Sequence, residues 1–87
     1  MTAEESNIQA LHEEQGRTNI QKLKSKIDTT KHNIEISEAI IDETPFDKER
    51  QKLIDKNTNR QHAIGSMEKE IRDIEQTMAE RSREVSL

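Results

Sequence analysis

The chain is predicted to be all-α: an antiparallel two-helix hairpin, coiled-coil-like, preceded by a short weakly helical or disordered N-terminal arm. Three observations carry this prediction. Ile20, Ile27, Ile34 and Ile41 recur at seven-residue spacing, which keeps one face of a helix apolar. The only proline, Pro45, comes directly after them. Beyond it a second apolar set, Phe46, Leu53, Ile64, Met67, Ile71, Ile74 and Met78, again runs at helical spacing.

Residues 1–17 read as a polar arm. Thr2 and Glu5 have the spacing of a capping box, in which hydroxyl and carboxylate each satisfy the other's free backbone donor. Ile8 and Leu11 fall outside the phase of the isoleucine heptads, and Gly16 separates the arm from the first of them. The arm is therefore expected to be disordered or a short helix, set apart from a hairpin over 18–82.

The first helix is expected over 19–43, with Thr18 or Asn19 as N-cap because a short polar side chain can accept from the free amides of a first turn. With Ile20, Ile27, Ile34 and Ile41 at heptad position a, position d holds Leu23, Thr30, Ser37 and Thr44. The seam is apolar at every a and mostly polar at d, and Ile36 and Ile40 widen it at one end. Residues 42–45 form the turn. Proline drives the residue before it out of the α region and suits the first position of a helix, so Thr44 is expected as N-cap of a second helix over 45–80, with Asp47 at the positive end of its dipole. In that helix Arg50, Asn57, Ile64, Ile71 and Met78 take position a, and Phe46, Leu53, Arg60, Met67 and Ile74 take d. Gly65 lies inside it at a cost of about 1 kcal/mol relative to alanine. Residues 83–87 are expected to fray.

Folding the helices about that turn sets Ile41 against Phe46, Ile34 against Leu53, Leu23 against Ile64 and Ile20 against Met67. Polar seam positions also meet, Ser37 with Arg50 and Thr30 with Asn57, while Arg60 lays its aliphatic stem on Ile27. Asn57, a buried amide, is expected to fix register at some cost in stability. Ile71, Ile74 and Met78 project beyond the first helix in this register and are the expected self-association site, making a homo-oligomer through the second helix the expected partner.

Composition narrows the function. A chain of 87 residues holds one small domain, and with 29% apolar and 37% charged residues and Phe46 as its one aromatic side chain it can bury little. Oligomerisation or a partner would add stability. The absence of cysteine excludes disulfides and thiol chemistry and fits an intracellular protein. Net charge is −4, and single-strand binders use a basic excess with aromatic stacking platforms; nucleic acid is not an expected partner. No secretory signal is recognisable and no apolar stretch reaches bilayer-spanning length, so no membrane association is expected.

Chemistry-bearing residues are sparse. His32 and His62 fall at position f, farthest from the seam, and cannot converge on a metal. Carboxylate pairs such as Glu4–Glu5 and Glu13–Glu14 are sequence neighbours and do not share a helix face, whereas acid–base catalysis needs a positioned, desolvated group. Lys48, Lys52 and Lys56 recur every fourth residue. With Arg60 they are the candidate contact for phosphate or an acidic partner, against the plainer reading of a solvated row balanced by Glu35, Glu38 and Asp42. No catalytic, cofactor-binding or metal-binding residue is assigned, and no small-molecule substrate is expected.

Several segments resemble a known family. Asn19-Ile20-Gln21-Lys22-Leu23 is similar to the N-V-E-K-L opening of the small acid-soluble spore proteins named Tlp. Matches continue at Thr30, Asn33-Ile34, Glu38, Ile41 and Glu43-Thr44. Ile54-Asp55-Lys56-Asn57-Thr58-Asn59-Arg60 is similar to that family's I-E-E-K-N-x-R-R, with Asn59 where arginine is usual, and Ser66-Met67-Glu68-Lys69-Glu70-Ile71-Arg72-Asp73 to its S-M-R-x-E-I-K-D. The likeness covers residues 19–75 without a gap. It implies a non-enzymatic protein made in the forespore of endospore-forming bacteria and kept in the spore core, and it carries over no catalytic or cofactor residue. The alternative from another class is a generic coiled-coil interaction module self-associating through the end of the second helix; a third reading is a spore-DNA-associated protein using the basic stripe.

Overall fold

The computed structural model describes residues 3–86 and contains two helices, α1 (Ala3–Glu43) and α2 (Asp47–Ser86), joined by Thr44, Pro45 and Phe46. They lie side by side in a rod with Cα extents of 66 × 15 × 12 Å, the length that a helix of about 40 residues reaches at about 1.5 Å per residue. Among the described residues there is no strand. The all-α hairpin expected from the two heptad sets is the observed architecture.

The core lies along the inner face of the rod. Leu23, Ile27 and Ile34 of α1 are buried together with Ile64 and Ile71 of α2, and Ile20, Met67 and Ile74 pack against them. The face is narrow because a two-helix unit can cover only the a and d rows, and no side chain among those described is completely removed from solvent. Thr30, Thr58 and Thr77 turn their hydroxyls back to donate to the carbonyls of Lys26, Ile54 and Asp73, so these β-branched polar residues sit in a helix without unpaired hydroxyls.

Four details depart from the sequence expectation. The first is Gly16, where the sequence suggests a break between arm and hairpin. α1 runs through it without interruption. Gly16 is buried, and a Cβ placed there would come within 2.7 Å of the Met78 Sδ and 3.5 Å of the Ile74 Cγ2. It is a glycine of close approach between helices, and packing outweighs the roughly 1 kcal/mol that glycine costs a helix. Ile8 and Leu11 stay exposed, as their phase off the seam requires.

The turn is the second departure. Thr44 closes α1 rather than opening α2: its hydroxyl donates to the Ile40 carbonyl at 2.6 Å and its backbone N–H to the Ile41 carbonyl at 3.3 Å. The first α2 hydrogen bond runs from the Arg50 N–H to the Phe46 carbonyl at 3.0 Å, so Phe46 is the N-cap and Pro45 stands before the helix. Asp47 and Glu49 place negative charge in the first turn of α2, where the helix dipole favours it.

Register, the third, is set by the turn. Moving its centre to Pro45 slides each α2 partner by nearly one helical turn. The pairing of Ile41 with Phe46 does not form, and Phe46 is 64% exposed at the tip. Gly16 lies against Ile74 and Met78.

The fourth departure is the end of α2, which continues to Ser86 rather than stopping near residue 80. The added segment is rich in glutamate and arginine, good helix formers, and Arg83 supplies a cation to the negative end of the dipole. Thr2 of the expected capping box, and Leu87 of the expected tail, lie outside the described residues.

Candidate functional site

The most tightly buried polar group in the rod is Ser37, 5% exposed, at position d of α1. It faces Arg60 of α2, whose Nη1 donates to the Ser37 Oγ at 2.7 Å and to the Asn57 Oδ1 at 2.8 Å. A single guanidinium thus ties α1 to α2 and holds the amide of its own helix one turn away. Among the described residues no buried side-chain nitrogen or oxygen is left without a partner. A polar layer of this kind in an apolar seam adds little net stability but penalises any other register, in which its donors and acceptors would be buried unpaired.

The sequence reading separates these three residues, placing Ser37 opposite Arg50, Asn57 opposite Thr30 and Arg60 on Ile27. The shifted turn unites them. Arg60, expected with the surface lysines, lies at the seam, half-buried and hydrogen-bonded between the helices. Lys48, Lys52 and Lys56 remain on the surface as expected. The balancing contacts to Glu35, Glu38 and Asp42 do not form; the ion pairs among the described residues are Arg17–Glu13, Arg50–Asp47 and Lys69–Asp73, each within one helix.

Ile71, Ile74 and Met78, expected to project beyond the first helix, have α1 alongside them. Ile71 is buried in the intramolecular core with Ile74 packed on it, and Met78 covers Gly16. The continuation of α1 to Ala3 supplies the surface that they need. The signal lies in the spacing: Gly16 stands seven residues before Leu23, in position d, so the heptad phase carries through the glycine.

His32 and His62 are exposed and His12 half-buried, and no group of metal-ligating side chains converges among the described residues. The concave regions are open grooves. One, of about 640 Å³, is lined by residues of α1 alone, from Glu14 to Lys26. Another, of about 230 Å³, lies between the helices at the open end, with His12 and Gly16 on one side and Ile74 and Met78 on the other. No described helix is long and apolar enough to cross a membrane.

Set beside known proteins, residues 4–81 match the family model described as "Small, acid-soluble spore protein Tlp". The chain belongs to this family. The Tlp match begins within the first turns of α1 and runs past Met78, so it spans the segment before Gly16 as well as the hairpin seam. A "Protein Tlp homolog" of Clostridium botulinum strain Okra is 37% identical over 57 residues, covering 66% of this chain and 76% of that protein. The homolog of strain Hall is 35% identical over the same coverage. No solved structure matches.

Proposed function

We propose that the chain is a non-enzymatic Tlp-type small acid-soluble spore protein, made during sporulation and held in the spore core. The family match over residues 4–81 carries this reading. The shape supports it. A rod with Cα extents of 15 × 12 Å across its axis is two helices thick, and the grooves lined by its described residues lie open to solvent, whereas electrostatic catalysis depends on excluding water from the reacting group. Acid solubility is accounted for by composition: protonating 18 Asp and Glu leaves 14 Lys and Arg with little apolar surface to drive aggregation.

The test is to follow the protein by immunoblot in the bacterium that encodes it, from vegetative growth through sporulation. It is expected to be absent from growing cells, to appear in the forespore, and to be released by dilute acid from broken purified spores. Equal abundance in vegetative cells would overturn the assignment.

A further inference from the structure

We propose that Met78 is a modification site: a peroxide converts its thioether to the sulfoxide in the folded rod, and the sulfoxide releases the segment of α1 before Gly16 from α2. At Gly16 the two helices close around this sulfur. A Cβ there would meet the Met78 Sδ at 2.7 Å and the Met78 Cγ at 3.2 Å, so the thioether occupies the space that the glycine leaves.

Met78 also stands where the apolar seam ends. Leu23, Ile27, Ile34, Ile64 and Ile71 form the buried row, with Ile20, Met67 and Ile74 packed on it. Farther toward the open end, Ile8, Ala10 and Leu11 of α1 are exposed, and its half-buried positions are the polar Gln9, His12 and Glu13. On α2 the residues from Ala79 to Arg83 bury no apolar side chain. Segments with few buried apolar contacts open first, so this end of the rod leans on the layer of Met78 and Gly16. Met67 differs. It also borders a groove, with Thr29 and Thr30, but it lies between the buried Ile64 and Ile71 of its own helix, where neighbouring layers hold the helices together.

The sulfur is within reach of a small oxidant. Met78 is half-buried and lines an open groove of about 230 Å³ with His12 and Arg81, room for a peroxide beside waters of about 30 Å³ each. The Sδ lone pair attacks the hydroxyl oxygen of the peroxide, the O–O bond breaks, and that oxygen stays on sulfur. Its proton passes to the departing oxygen, which leaves as water from hydrogen peroxide or as an alcohol from an organic hydroperoxide. Sulfur is oxidised by two electrons and the peroxide is reduced by the same two. The product is polar where the thioether was apolar. Against Gly16 its oxygen finds no donor, because the backbone N–H groups there are spent inside α1, and a buried acceptor without a partner is costly. On the groove side Arg81 offers donors. The sulfoxide therefore turns outward, Gly16 is left uncovered, and the α1 segment before it undocks.

Hydrogen–deuterium exchange of the full chain, read by peptide mass spectrometry before and after treatment with hydrogen peroxide, tests the proposal. Met67→Leu, a swap close in volume, is carried throughout, which leaves Met1 and Met78 as the oxidisable thioethers. The expected result is Met78 sulfoxide formed without denaturant. Exchange over residues 3–15 should then quicken about tenfold or more, with residues 20–43 unchanged. M67L/M78L keeps Met1 and should not respond to peroxide, and methionine sulfoxide reductases should return the oxidised M67L chain to slow exchange. Met78 that stays reduced in the folded chain would overturn the proposal. So would equal exchange over residues 3–15 in the reduced and oxidised forms, or the same quickening in M67L/M78L.

Discussion

Gly16 and Gly65 occupy the interiors of two long helices, yet their surroundings are opposite, and substitutions should separate them. Nothing lies within 4 Å of a Cβ built at Gly65, so Gly65→Ala should collect the full helix-propensity gain, about 0.5–1 kcal/mol. At Gly16 an added methyl meets the Met78 Sδ at 2.7 Å. Methionine can swing aside, so Gly16→Ala should gain less than Gly65→Ala. The branched Gly16→Val cannot be accommodated in that way and should cost about 1–3 kcal/mol through overpacking. Urea midpoints for the three variants check the ordering; equal gains for both alanines would mean that the helices do not touch at Gly16. Arg60 supports a second prediction at this scale. Arg60→Ala leaves the buried Ser37 hydroxyl and the Asn57 amide without their shared partner, an expected loss of about 1–3 kcal/mol. Replacing all three, as Ser37→Ala, Asn57→Leu and Arg60→Leu, should recover or exceed wild-type stability. The triple variant should lose its single register, seen as multiple backbone amide signals in NMR.

Between the helices, three residues decide how the rows meet. Thr44 satisfies two late carbonyls of α1, those of Ile40 and Ile41, Pro45 cannot continue a helix without clashing with the preceding turn, and Phe46 opens α2 through its carbonyl. Pro45→Ala removes the one residue that forbids continuation. The expected outcome is a stability loss of about 0.4–1 kcal/mol from the freer unfolded chain, together with a swapped dimer in which α1 and α2 form one long helix, detected by size-exclusion chromatography after refolding at high concentration. Proline also marks the limit of what the sequence reveals. Heptad phase and a lone proline suffice for two helices, an antiparallel fold and the seam residues Leu23, Ile27, Ile34 and Ile64; they leave Ile71 outside the hairpin, because α1 is read as starting after Gly16. They leave open whether Pro45 sits inside the second helix or before it, because Thr44 can serve equally as the cap of α2 or the stop of α1. That ambiguity of one or two residues at the turn becomes nearly a helical turn of register, which hides the Ser37–Arg60–Asn57 layer. Gly16 is hard to read for a different reason. A helix-weakening residue and a residue of close approach look alike until the partner surface, here Ile74 and Met78, is known.

Over the whole rod, stability and charge are nearly independent. The core is a line of aliphatic side chains, and the ion pairs among the described residues are exposed pairs within single helices, a class that contributes little. Acid should therefore act on the fold mainly through net charge rather than through loss of specific bridges. Strong acid neutralises carboxylates, so the chain passes from a net charge of −4 to one set by 14 Lys and Arg and 3 His. These cations are spread along a thin rod and repel one another, which opposes the compact hairpin, while the same charge and the scarcity of exposed aromatic surface oppose aggregation. Salt separates the two effects, because at about 1 M ionic strength the screening length falls to about 3 Å. At pH 2 and low salt the helical circular dichroism should weaken while the solution stays clear. Adding salt at constant pH should restore much of the helical signal, since the apolar seam itself does not titrate. Loss of helix that salt fails to recover would show that specific carboxylate contacts hold the rod together, and precipitation at pH 2 would contradict the derivation of acid solubility from charge and composition.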